Sequence, residues 1–128
     1  MRLLLDTHAF LWFVWDVPQL SLTARKLIES ADNEIFVSAA SVWEVAIKVS
    51  TGKMAVGGDV TDFFADHTAR NLILLLPISP GHAGAVSTLP FHHKDPFDQL
   101  LVAQSQLEEL TLLSADVILD AYGISRIW

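Results

Sequence analysis

Short, nearly continuous apolar runs alternate along this chain with longer segments in which apolar residues recur every three or four positions. Arg2–Leu5, Ile35–Val37, Leu72–Leu76 and Thr111–Leu113 are of the first kind. They lack the in/out alternation of half-exposed strands and are expected to be strands of a mostly parallel sheet covered on both faces. The segments between them read as helices. Thr7 can cap the first, which runs through Trp15 until Pro18 breaks it. Ser21 starts a second over Leu22–Ala31, with Leu22, Leu27 and Ile28 inward and Arg25, Lys26 and Glu29 outward. A third spans Ala40–Ser50 and stops at Gly52, and a fourth over Asp59–Asn71 carries Val60, Phe63 and Phe64. Pro80 begins a short helix ending near Leu89. Asp95 and Pro96 open a longer one through Glu109 that buries Phe97, Leu100, Leu101 and Leu107. A helical turn over Val117–Ala121 ends at Gly123, leaving Ile124–Ile127 to close the sheet. The alternation specifies an α/β fold, a mostly parallel sheet with helices on both faces in three layers, built as one domain over residues 1–128.

Composition narrows what such a domain does. A hydrophobic share of 52% against 18% charged residues excludes intrinsic disorder. In a small domain it also implies that a partner covers some apolar surface. Cysteine is absent, which removes disulfide frameworks and thiolate zinc sites. The longest apolar runs, Ala9–Trp15 and Leu72–Ile78, fall well short of the roughly 20 residues that span a bilayer. Asp6 and His8 interrupt the stretch that resembles a signal peptide, so a cytoplasmic protein without a membrane segment is expected. The net charge of −7 argues against a generic nucleic-acid coat protein, whose affinity comes from Lys and Arg. It leaves room for a site in which divalent ions cancel carboxylates and attract phosphate, and it invites a basic partner.

Four acids stand where an α/β fold can gather them. Asp6 follows Leu3-Leu4-Leu5, and Asp116 follows Leu112-Leu113-Ser114-Ala115; both sit at strand ends. Glu44, in Ser-Val-Trp-Glu-Val-Ala-Ile-Lys, and Asp98, in Asp-Pro-Phe-Asp-Gln-Leu-Leu, lie in early turns of helices. In an open parallel sheet those places meet at the carboxyl edge of the strands. Each acid has a plainer role open to it. Asp6 or Thr7 could cap the first helix, Glu44 could pair with Lys48 at i, i+4, and Asp116 could cap the last turn. Capping accounts for Asp95, whereas Asp98 can serve both the helix dipole and a cation. Chance capping does not predict convergence from four segments, and clustered carboxylates need a hard divalent metal.

The remaining chemistry-bearing residues are less pointed. Adjacent His92 and His93 rarely bind one ion with good geometry. His8 is expected to pack on the first helix, and His67, His82 and Asp120 to face solvent. Phe10, Trp12, Phe13 and Trp15 place rings all around one short helix, more than one core-facing stripe requires, and are read as a partner-binding face. Lys48, Lys53, Arg70 and Lys94 are the available phosphate contacts, Lys94 being the best placed. A receiver domain of a response regulator shares the length and class. It is excluded because Asp6 stands alone, no Asp ends the middle strand and no Lys fits near the last.

Taken in order, Leu-Leu-Leu-Asp-Thr-His-Ala-Phe-Leu-Trp, Ser-Val-Trp-Glu-Val-Ala-Ile-Lys, His-Lys-Asp-Pro-Phe-Asp-Gln-Leu-Leu-Val-Ala-Gln and Leu-Leu-Ser-Ala-Asp resemble a PIN domain. The closer likeness is to VapC-type toxins of bacterial toxin–antitoxin pairs. The resemblance covers the whole chain and implies a PIN-like fold. It puts the family's acidic site on Asp6, Glu44, Asp98 and Asp116, with Thr7 and Ser114 at the small hydroxyl positions. It implies a Mg²⁺- or Mn²⁺-dependent endoribonuclease, with one or two ions, acting on RNA. A cognate VapB-like antitoxin would hold it inactive, an antitoxin helix would occupy the aromatic face, and the toxin would form a homodimer. Gln99 stands where Arg often follows, and Ser114 replaces the commoner Thr; neither change removes a carboxylate. A catalytically silent PIN-like interaction module is the rival from another class, with the acids serving as caps.

Overall fold

A computed structural model describes residues 1–128. Five strands, β1 (Arg2–Leu5), β2 (Glu34–Ser38), β3 (Leu74–Leu76), β4 (Thr111–Leu113) and β5 (Arg126–Ile127), form one sheet in the order β3-β2-β1-β4-β5. Every neighbouring pair is parallel, as the unalternating apolar runs predict. The crossovers carry helices α1 (Thr7–Val14), α2 (Leu22–Glu29), α3 (Ala39–Ser50), α4 (Val60–Arg70), α5 (Pro80–Ala85) and α6 (Pro96–Leu107). Two 3-10 turns, Val86–Thr88 and Val117–Tyr122, complete the chain. No helix is long and apolar enough to cross a membrane.

The central strand shows how a run of leucines makes a two-sided core. Leu3, Leu4 and Leu5 have no exposed surface. Leu3 and Leu5 pack with Phe10, Ala24, Val45, Phe63 and Phe64 on one side of the sheet. Leu4 faces the other way, onto Ala40, Leu101, Val102, Leu112 and Leu119. Fully burying each leucine contributes about 1.5–3 kcal/mol, so β1 anchors both layers. The strand order reverses between β1 and β4, where Leu5 pairs with Leu113 and the Asp6 amide donates to the Leu113 carbonyl at 3.1 Å. That reversal opens a crevice beyond the carboxyl ends of the two strands.

The observed elements depart from the expected ones in several places. Asp6, not Thr7, caps α1, because its Oδ1 accepts from the Ala9 amide at 2.7 Å. Helix α2 ends at Glu29 and leaves Leu22 exposed, since Ala24 and Ile28 define its buried face and Leu22 lies on the opposite side. Strand β3 begins at Leu74; Leu72 has φ 54° in the turn after α4 and points into solvent. As an edge strand β3 also leaves Leu74 and Leu75 about half exposed, so it is not covered on both faces. Helix α6 stops at Leu107, which is exposed just beyond the buried stretch Leu100–Ser105.

Candidate active site

The crevice is lined by Asp6, Thr7, His8, Glu44, Asp95, Asp98 and Asp116 around a cavity of about 120 Å³, with no hydrophobic residue in its wall. The four acids singled out from sequence therefore meet, delivered by β1, α3, α6 and the segment after β4. Asp6 is buried, and besides capping α1 it feels the Glu44 charge. Burial raises its pKa; the Ser114 hydroxyl and the Ala9 amide pull the other way. Ser114 is itself fully buried, its Oγ accepting from the Asp116 amide at 3.1 Å.

Glu44 is buried on α3, and both its oxygens are engaged. Thr7 Oγ1 donates to Oε1 at 2.7 Å, with Ser41 Oγ 2.8 Å from the same hydroxyl, and Lys48 Nζ donates to Oε2 at 2.9 Å. The i, i+4 pair expected on the surface exists, but its acidic member is buried. Asp98 lies in the first turn of α6, whose cap Asp95 accepts from the amides of Phe97 and Asp98 at 2.9 and 3.1 Å. Burial first, then the Asp95 charge, push the Asp98 pKa up to about 6; a hydrogen bond from His93 opposes them. Asp116 caps the last 3-10 turn through its bond from the Ile118 amide at 3.1 Å, and it is exposed at the rim. Capping and convergence thus coexist in Asp6 and Asp116.

Several sequence expectations are corrected at and around the site. His82 is buried rather than solvent-facing: Nδ1 accepts from the Ser79 amide at 3.0 Å in a capping box on α5, and Nε2 lies 2.8 Å from Glu108 Oε1. Asp120 is exposed but not merely solvated, since Arg126 grips it through Nε at 2.7 Å and Nη2 at 2.9 Å, which lowers its pKa. The aromatic face is mostly internal. Phe10 is fully buried and stacks on Phe64 at 4.8 Å, Trp12 packs against His8 and Trp128, and Phe13 is partly buried. Only Trp15 is exposed among the four, because α1 is packed on two sides within the chain. Of the proposed phosphate contacts, Lys94 is exposed beside Asp95, whereas the amine of Lys48 is tied to Glu44. His93 and Tyr122 stand behind Asp98 although nothing in the periodicity marked them.

The sequence model described as PIN domain matches residues 3–124. The chain belongs to the PIN domain family. Among solved structures this PIN domain is similar to VapBC2 from Rickettsia felis bound to a promoter DNA fragment, at a TM-score of 0.74 and 15% identity over 99% of this chain and 98% of that one. It is also similar to FitAcB from Neisseria gonorrhoeae, at 0.67 and 17% over 98% and 96%. A third likeness is to VapBC-1 from nontypeable Haemophilus influenzae, at 0.66 and 12% over 99% and 97%. At these identities the likeness is one of fold. No curated protein matches this PIN domain.

Chemically the cavity offers hard oxygen donors, the set that suits Mg²⁺ or Mn²⁺ rather than softer metals. No three of its acids and imidazoles converge closely enough to enclose an ion unaided. A small divalent ion that keeps several waters fits such a donor set better than one needing an all-protein cage.

Proposed function

We propose that this PIN domain is a Mg²⁺- or Mn²⁺-dependent endoribonuclease. We further propose that it is the toxin of a toxin–antitoxin pair, a homodimer held in check by a cognate VapB-like antitoxin. One observation carries the hydrolase reading: four acids from four chain segments meet in a single cavity without an apolar wall. Burial above all, with neighbouring acids adding to it, raises the pKa values of Asp6 and Asp98, and a bound dication would offset that cost. Family membership and the fold shared with the VapBC and FitAB structures support the toxin assignment. The acidic net charge of −7 supports a basic antitoxin.

Asp6, Asp98 and Asp116 would hold one or two ions, directly or through water. When bound, the metal supplies charge neutralisation on the phosphoryl oxygens and a more acidic water. Glu44, with both oxygens already accepting hydrogen bonds, acts through water to orient the attacking nucleophile. Thr7 and Lys48 fix the Glu44 carboxylate, and Ser114 favours the charged form of Asp6. His8, stacked on Trp12 at 5.4 Å, lines the cavity where substrate would enter, and the exposed Lys94, next to the cavity residue Asp95, would contact phosphate.

The test is cleavage of single-stranded RNA by the purified chain with Mg²⁺ or Mn²⁺, with chelator, and with Asp6→Asn. Cleavage is expected only in the metal-loaded wild type. Undiminished cleavage in chelator, or by Asp6→Asn, removes the metal mechanism. A folded chain that never cuts but still captures an antitoxin is the silent interaction module.

A further inference from the structure

Behind the acid cavity a buried ring and a largely shielded one form a chain that ends on one carboxylate. The Tyr122 hydroxyl lies 2.6 Å from His93 Nδ1, and His93 Nε2 lies 3.2 Å from Asp98 Oδ2. Tyr122 is buried, and the side chains of His93 and Asp98 are 13% and 20% exposed, so water competes weakly for these bonds. A carboxylate facing an imidazole nitrogen accepts, which assigns the hydrogen to Nε2. In a neutral ring Nδ1 is then the acceptor and the Tyr122 hydroxyl its donor. The tyrosine thereby selects the tautomer that can reach Asp98. Only Oδ2 of Asp98 is used, which leaves Oδ1 for the cavity that Asp98 lines.

The placement of the tyrosine matters as much as its bond. Tyr122 ends the same 3-10 turn that Asp116 caps, so one short segment holds a cavity acid at its start and the anchor for another at its end. Gln99 Nε2 donates to the His93 carbonyl at 2.8 Å, fixing the loop from the α6 side, and His92 packs edge-on against Tyr122 at 4.8 Å.

We infer that His93 is a positioning residue for the metal site: it orients Asp98 by a hydrogen bond whose direction Tyr122 sets, and so couples Asp98 to the turn that carries Asp116. The inference rests on the metal-dependent reading and deepens it. Outer hydrogen bonds that orient a metal's ligands commonly change affinity by about 10- to 100-fold when removed.

Mn²⁺ binding, followed by the loss of the free-ion electron paramagnetic resonance signal, tests it apart from turnover. Melting curves of the metal-free proteins accompany each titration. His93→Ala is expected to weaken Mn²⁺ binding about tenfold or more. His93→Gln, whose amide nitrogen can replace Nε2, should restore most of it. Tyr122→Phe, which keeps the ring but frees the tautomer, should fall between them. His93→Ala in the Asp98→Asn background should add little, because His93 acts through that one carboxylate. If the wild type takes up Mn²⁺ and His93→Ala takes it up equally well, the positioning role is overturned while the nuclease reading stands. Equal weakening by His93→Ala and His93→Gln also overturns it, because loss of the ring rather than of its donor would then be responsible. If the wild type binds no Mn²⁺ and cuts no RNA, the metal reading and this inference fall together.

Discussion

Two acidic hollows mark the surface of this protein, and only the smaller has the makings of a site. The larger, of about 400 Å³, is lined by Val56, Gly57, Gly58, Asp59, Asp62, Phe63, Asp66 and His67. Its three aspartates belong to one local stretch of chain, the cap and body of α4, and all three are exposed. Each has an ordinary task or open water: Asp59 caps the helix, Asp62 sits in its first turn, and Asp66 pairs with Arg70 at 2.9 Å. The smaller hollow gathers acids from four distant segments and holds Asp6 and Glu44 buried. Volume alone therefore ranks the two wrongly. Burial of charge gathered from separate segments distinguishes them, because solvated acids cost little to keep and buried ones cost more.

The largest expected effect breaks or confirms that contrast directly. Asp98→Asn and Asp116→Asn should each lower metal-dependent RNA cleavage by about 10²-fold or more, since each removes several kcal/mol of charge complementarity to the metal-bound transition state. Asp62→Asn, in the larger hollow, should leave the cleavage rate within about twofold. Rates measured on one RNA for all three variants decide it. A comparable loss in Asp62→Asn would mean that overall negative charge, not the assembled cavity, governs the reaction.

A smaller effect follows from protonation. Asp98 holds its proton up to about 6 in the folded chain, against an ordinary value of 3.8, and burial shifts Asp6 the same way. A raised folded-state pKa favours folding where the group is protonated. Its contribution is thus fully present below the ordinary value and is lost as pH rises through the folded one. Without metal, the share of stability that belongs to Asp98 should fall between pH 3.8 and about 6. After allowance for solvent screening the fall is about 1–2 kcal/mol. Asp98→Asn should flatten that part of the profile. Asp120 runs in the opposite sense: Arg126 lowers its pKa, so its contribution is present at neutral pH and lost on acidification. Denaturant unfolding across pH separates these cases. Mg²⁺ at saturating concentration should restore stability near pH 8 and do little near pH 4, where Asp98 holds its proton.

Legibility in the sequence follows the same division between local and distant causes. The parallel sheet was readable because Leu3-Leu4-Leu5 and Leu112-Leu113 are apolar at every position, and the helix starts at Ser21, Pro80 and Pro96 because their capping signals are local. The meeting of Asp6 with Asp116 was readable too, as both end strands that a parallel fold places side by side. Contacts between loops were not. His93 and Tyr122 are 29 positions apart and His82 and Glu108 are 26 apart, and neither pairing leaves a periodic trace. The reading of α1 erred differently. Rings on every side of the helix suggest one surface covered by a partner, whereas the sheet, Phe64 and Trp128 already cover most of it.

The smallest effect sharpens the comparison because spacing is held constant. Glu44–Lys48 and Asp66–Arg70 are both i, i+4 pairs with the same 2.9 Å contact. The acid of the first is 11% exposed in its side chain, and that of the second is 49%. Lys48→Met leaves Glu44 buried with only Thr7 to satisfy its charge, and should destabilise the fold by about 1–2 kcal/mol. Arg70→Met returns Asp66 to water and should cost about 0.5 kcal/mol or less. Urea unfolding of both variants near neutral pH gives the difference. Should the two losses be equal, Glu44 is better solvated than its position implies, and the cavity loses one of the charges on which its contrast with the larger hollow depends.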